Sequence, residues 1–330
     1  MGTKFYSFIL LAILFTACTN DEDVVDPQNE VPAIQSEAIY DVILEEDVIY
    51  GEGLSHDSIN SAGSTVMSLK LDVYLPDNEV QNRPAFLFIH GGGFTGGSKR
   101  ANNAGILADY YTARGWVFVS IDYRLRDDLG TVPEEWVTYA ENLTPDLDAS
   151  QFLAIYPAHR DAKAALRWLV ANAATYNINT DYITIGGGSA GAITAISLGI
   201  SNEEDFRDEL TTSQDPTLSS TSLSQSYKIQ TIVDFWGSKI GLDIIEDIYG
   251  HQRFDANDPP LYIAHGMEDP TVLFSEGEAL KAIYDSLGLA VAYYPLEGAG
   301  HGAWNATVDG KRLEELAFDF IVEQQALTVE

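Results

Sequence analysis

Apolar positions along this chain switch between two periods. Short, nearly unbroken apolar runs occupy 84–89, 182–185, 229–235, 261–264 and 290–294. Such runs predict strands buried on both faces, as in a parallel sheet covered by helices. Between them the apolar period lengthens, and amphipathic helices are predicted near 101–114, 157–173, 274–287 and 311–327. A small-residue run at 190–199 predicts one more helix. From about Phe86 onward strand and helix alternate, which predicts an α/β class with a mostly parallel central sheet. A chain of 330 residues can bury one large core or two small ones, and the unbroken alternation without internal repeat favours one.

The amino-terminal stretch reads as targeting rather than fold. Lys4 precedes an apolar stretch, 5–17, that is too short to span a bilayer comfortably. Residues 1–17 are expected to be a signal peptide. The stretch ends Phe15-Thr16-Ala17-Cys18, which resembles a bacterial lipobox with Phe15 where Leu is commoner. Cys18 is then the lipidated new amino terminus. It is also the only cysteine, so the remainder offers no disulfide, thiol nucleophile or cysteine metal site. Residues 18–36 are polar, acidic and Pro-containing, and they predict a flexible tether to a folded domain at 37–330. Asp21-Glu22-Asp23 resembles the surface-export signal of some outer-membrane lipoproteins. The expectation is an exported bacterial lipoprotein of the outer membrane, on its periplasmic or cell-surface face. A net charge of −32 argues against nucleic acid and anionic polymers as partners.

The chemistry is concentrated in a few short motifs. Gly187-Gly188-Ser189-Ala190-Gly191 reads Gly-x-Ser-x-Gly between a predicted strand and a predicted helix. In that context it is a nucleophile elbow, a strained turn that stands a serine hydroxyl at the end of a sheet. The bare motif also occurs in ordinary loops, so its partners carry the argument. A serine hydroxyl needs a base, usually His, oriented by a carboxylate. Three histidines follow Ser189. His301 lies in the flexible loop Gly298-Ala299-Gly300-His301-Gly302, which follows a predicted strand and is placed to reach across a sheet top. His265 ends a predicted strand and is expected to shape a turn, and His251 lies in a polar loop. Asp269, shortly after the strand at 261–264, is the expected acid. Its neighbour Glu268 is an alternative, and Asp234, one strand earlier, ranks second. His90-Gly91-Gly92-Gly93-Phe94 follows the strand at 84–89 and matches the HGGG-type oxyanion loop. No Gly-Lys-Ser/Thr follows at phosphate-loop spacing, and His90 is expected to hold the loop.

In this order the motifs resemble those of the α/β-hydrolase esterases, above all the hormone-sensitive-lipase-like carboxylesterases and bacterial acetyl and feruloyl esterases. The resemblance runs from about Leu71 to Leu327. It also takes in Leu71-Asp72-Val73-Tyr74-Leu75-Pro76, Asp122-Tyr123-Arg124-Leu125 and the helix around Ala164-Ala165-Leu166-Arg167-Trp168. It implies Ser189 as nucleophile, Asp269 as acid and His301 as base. It implies oxyanion donors from the N–H groups of Gly92, Gly93 and Ala190, with Gly91 as a substitute, and no cofactor or metal. Gly188 stands where hormone-sensitive-lipase-like members usually carry Asp, and Ala192 where many carry Gly. Arg126-Asp127-Asp128 replaces the usual Ala-Pro-Glu, which favours the polysaccharide-esterase relatives.

Two insertions, about 126–156 with Trp136, Tyr139, Phe152 and Tyr156, and about 201–228, are expected to shape the pocket. Phe94, Trp236 and Trp304 are expected to line it. The implied reaction is serine-dependent hydrolysis of short to moderate acyl esters, with acetyl or feruloyl groups on polysaccharide among the substrates. An amidase or peptidase of the same fold and a non-catalytic glycan-binding lipoprotein are the alternatives.

Overall fold

A computed structural model describes residues 30–143 and 148–330. The expected signal peptide, Cys18 and most of the expected tether lie outside the described residues. The last residues of that expected segment, 33–35, are part of the fold instead. Ala33–Ile34 pairs in parallel with Thr328–Val329, and Ile34 is buried. The Gln35 N–H donates to the Arg114 carbonyl at 2.9 Å. An apolar Ile34 seated between the chain ends outweighs the polar composition around it.

The main sheet has eight strands among the described residues: β1 Val42–His56, β2 Ser64–Pro76, β3 Arg83–Ile89, β4 Val117–Ile121, β5 Ile178–Gly188, β6 Thr231–Phe235, β7 Leu261–Gly266 and β8 Val291–Leu296. Their order is β1-β2-β4-β3-β5-β6-β7-β8. The first two strands form an antiparallel hairpin, and β2 joins β4 antiparallel. Every later pairing is parallel. Each predicted strand appears in this sheet, while the β1 arm had no sequence signal. That arm is largely exposed on one side and lacks the unbroken apolar run of a central strand.

Side chains along β3 alternate between the two faces as the pleat requires. Leu87 and Ile89 pack with Leu166 and Leu169 of helix Ile155–Ala171 and with Ile193 and Ile196 of helix Ala190–Ile200. Phe86 and Phe88 pack on the other face with Leu107 and Tyr111 of helix Asn102–Thr112 and Leu316 and Ile321 of helix Leu313–Gln325. Burial on both faces explains why all seven residues of β3 are buried. Helix Phe274–Leu287 coincides with its predicted span, and the other predicted helices begin and end within about two residues of expectation.

The two insertions pack on each other. Trp136 touches Phe152, Tyr156 and Phe206 with ring centroids 5.3–6.0 Å apart, and it is fully buried. Buried charges fasten this layer to the sheet. Arg124, just past β4, makes a two-pronged pair with Asp161 at 2.6 and 2.9 Å. Arg160 reaches Asp215 at 3.0 Å, and Asp215 caps the turn Pro216–Ser220. Arg253 grips Asp205 at 2.7 and 2.8 Å. Fork geometry and filled lone pairs let such pairs survive burial.

Asp234 in β6 is fully buried. It accepts the Gly237 N–H at 2.6 Å through Oδ1, while Oδ2 has no partner. Burial pushes its carboxyl up to about 7.

Two outcomes follow. Asp161→Ala strands the Arg124 charge and should lower unfolding stability by about 3–5 kcal/mol in urea titration. Asp234 binds its proton more tightly folded than unfolded, so its contribution to stability is full at acid pH. That contribution falls as pH rises from the ordinary Asp value, about 4, to about 7. Asp234→Asn should flatten the stability curve relative to the parent across that window, and an unchanged difference curve would refute the assignment.

Candidate active site

Ser189 sits where β5 turns into helix Ala190–Ile200, with φ 56 and ψ −123. That conformation is costly for a residue with a Cβ, on the order of 1–3 kcal/mol, and needs enforcement by its surroundings. The flanking glycines allow it. A Cβ on Gly187 would lie 2.4 Å from the Gly191 carbonyl carbon, and one on Gly191 would lie 2.0 Å from Ile89 O. The Ser189 N–H is tied to Phe235 O at 2.9 Å.

The hydroxyl meets one predicted partner, His301, which in turn meets the other, Asp269. His301 Nε2 lies 2.9 Å from Ser189 Oγ, and His301 Nδ1 lies 2.7 Å from Asp269 Oδ2. A carboxylate only accepts, so Nδ1 carries the proton and Nε2 is free to accept from the hydroxyl. Asp269 is buried, and its other oxygen accepts the N–H groups of Thr271 and Val272 at 2.8 and 3.0 Å. These bonds fix the carboxylate and leave one oxygen for the imidazole. Such a relay can remove a proton from the hydroxyl and deliver it to a departing group.

The other candidates are elsewhere. Glu268 is exposed, and its N–H binds Ala299 O at 2.9 Å. Asp234 is held by Gly237 under the elbow. His251 is exposed. His265 is buried, which lowers its affinity for a second proton, and its Nε2–H donates to Val272 O at 2.9 Å. It thereby braces the turn that presents Asp269.

The glycine loop faces Ser189 because β3 lies beside β5. Gly91 fits closely, since a Cβ there would lie 2.6 Å from Gly188 O. Gly92 has φ 120, and a Cβ there would lie 2.1 Å from Gly96 O. His90 holds the loop by donating from Nδ1 to Gly91 O at 2.7 Å and stacking on Tyr123, centroids 4.3 Å apart. Burial lowers its pKa and keeps the ring neutral. The N–H groups of Gly92, Gly93 and Ala190 find no acceptor among the described residues. Open backbone donors beside a nucleophile can hold a developing oxyanion.

A cavity of about 430 Å³ is lined by these glycines, Ser189, His301, Thr271, Trp236 and Trp304. Trp304 packs against Trp236 and Phe235, centroids 4.7 and 4.9 Å away. A Cβ on Gly188 would lie 2.6 Å from the Trp304 ring. The tryptophan therefore occupies the space that a side chain at 188 would need. Phe94 is not in this wall. It has φ 60, is buried, and packs on Tyr123 and His159 behind the loop. The aromatic residues of the first insertion are likewise absent from the cavity wall: Trp136, Phe152 and Tyr156 pack in the outer layer, and Tyr139 lies at its surface, donating to Asp247. One residue of that insertion does reach the site: Gln151 donates from Nε2 to Gly93 O at 2.7 Å. Neither Gln151 nor Thr271 belongs to a motif, so nothing in the sequence singled them out.

The chain is similar to several known proteins. The BD-FAE family model matches residues 71–134 and 148–247. Two esterases of Mycobacterium tuberculosis, LipQ and LipC, are 24% and 25% identical over 72% and 70% of this chain. The chain spans 55% and 56% of their lengths. Among solved structures, a truncated carbohydrate esterase from gut microbiota superposes with a TM-score of 0.59 at 21% identity, covering 90% of this chain and 100% of its own. The propionate-bound thermophilic esterase Est2 of Thermogutta terrifontis gives 0.58 at 22% identity, covering 84% and 93%. The chain therefore shares the α/β-hydrolase fold of these esterases, and residues 71–134 and 148–247 match the BD-FAE family model.

Proposed function

We propose that this protein is a serine carboxylic-ester hydrolase acting through an acyl-serine intermediate. The observation that carries the reading is the continuous relay Ser189–His301–Asp269 beside the N–H groups of Gly92, Gly93 and Ala190, which find no acceptor among the described residues. His301 takes the hydroxyl proton as Ser189 Oγ attacks the ester carbonyl. The carbonyl oxygen, now negative, rests on the N–H groups of Gly92, Gly93 and Ala190. Collapse expels the alcohol, which takes the proton from His301. Water then attacks the acyl-serine by the same route and releases the acid. The named esterases among the relatives support the class of reaction.

The tryptophan-walled cavity of about 430 Å³ suits short acyl groups. Acetyl or feruloyl esters of polysaccharide are the substrates we favour, and the gut carbohydrate esterase of similar fold supports that class. The lipobox-like Cys18 supports an exported lipoprotein held at the outer membrane.

Hydrolysis of p-nitrophenyl acetate and butyrate tests the reading. Ser189→Ala should cut kcat by about 10⁴-fold or more, and Asp269→Asn by a comparable factor, since the relay acts as a unit. A Ser189→Ala protein with parental rate would sink the proposal. Gly188→Ala should displace Trp304 and lower kcat/KM about tenfold or more through the misplaced wall, while Ala192→Gly, away from that contact, should change it little.

A further inference from the structure

We propose that a polar cleft beyond Trp304 is a glycosyl subsite for the alcohol half of a carbohydrate ester. The inference rests on the esterase reading above. The cavity at Ser189 continues at Gly302 and Trp304 into a second cavity of about 260 Å³. Asn102, Asn103, Asn305 and Arg312 line the second cavity.

The two spaces differ in chemistry. Around Ser189 the wall is mainly glycine and tryptophan, with Asn103 at the edge shared with the second cavity. Past Trp304 it presents three amides, a guanidinium and the Glu314 carboxylate beside Ile106 and Leu107. The side-chain amides of Asn102, Asn103 and Asn305 make no hydrogen bond among the described residues. Arg312 is steadied by Glu314 at 2.6 Å.

Proton delivery decides which half of the substrate lies there. The carbonyl oxygen sits on the glycine loop, so the leaving oxygen sits beside His301 Nε2. Gly302 follows His301, and even a Cβ there would meet nothing within 4 Å. A group attached to the leaving oxygen has a clear course over Gly302, along Trp304 and into the cleft. Trp304 is braced by Phe88, Phe235 and Trp236, so it offers a rigid apolar face. A sugar ring has an apolar C–H face and hydroxyls that both donate and accept. Each Asn amide supplies both complements. A long alkyl alcohol would instead desolvate the amides without replacing their bonds to water, at a cost.

The test uses Asn102→Ala/Asn305→Ala, two positions outside the cavity at Ser189. Substrates are p-nitrophenyl acetate and monoacetylated methyl glycosides of glucose, xylose, galactose and mannose. The double variant should lose about tenfold in kcat/KM on the best glycoside, mainly through KM, as expected for one or two lost hydrogen bonds. It should stay within about twofold on p-nitrophenyl acetate, whose leaving group carries no hydroxyls for the amides to bind. Equal losses on both substrates, no loss on any glycoside, or a parent that cleaves only p-nitrophenyl acetate would overturn the subsite. A parent inactive on every ester would defeat the esterase reading instead. The subsite is then read on Ser189→Ala by saturation-transfer NMR with the methyl glycosides. Contact that disappears in the double variant supports it, and absence of contact overturns it.

Discussion

The site depends on one backbone constraint, the close crossing of the Ser189 turn over the end of β3. At Gly191 the chain runs so near Ile89 O that no side chain fits between them. That closeness holds the serine in a conformation it would not otherwise adopt. It also sets the glycine loop after β3 against the start of helix Ala190–Ile200. The Ser189 hydroxyl and the open N–H groups of the glycine loop are thereby placed side by side by one contact between neighbouring parallel strands. The strain at Ser189 is offset by the packed layers beneath it, where β3 and β5 are covered on both faces.

The carboxylate and imidazole that meet Ser189 come from farther along the sheet, and which ones meet it is a matter of reach and of hydrogen-bond capacity. Asp269 stands beyond β7 with one oxygen filled by two N–H groups and the other turned to His301. Asp234 begins nearer in the sheet yet is sealed under the elbow by Gly237. His265 lies within 3.6 Å of Asp269 but spends its N–H on Val272. The imidazole on the glycine loop alone reaches both carboxylate and hydroxyl. Gly188 shows the same economy of space: with no side chain there, Trp304 lies against bare backbone.

The outer layer follows another logic. Its aromatic residues, which composition alone offers equally to a ligand or to a core, close on one another. Arg124, Arg160 and Arg253 pair with carboxylates of the surrounding segments and hold the layer in register. Gln151 and the Arg126 N–H extend from it to the glycine loop, at Gly93 O and Phe94 O. The wall nearest Ser189 is built instead from loops after β6, β7 and β8.

The sequence by itself determined the class of fold, because apolar runs and helical periods are local and survive in one dimension. It also determined the elbow, the glycine loop and the identity of Asp269 and His301 as candidates, because each sits at a predicted strand end with the required residue type. The tertiary structure alone decided which candidates meet. The distances among Ser189, His301 and Asp269, the seclusion of Asp234, and the turning of Phe94 into the core depend on strands far apart in the chain lying side by side. The same holds for Ile34, whose burial against the chain's other end no local composition announces, and for the cleft past Trp304, whose amides come from segments some 200 residues apart.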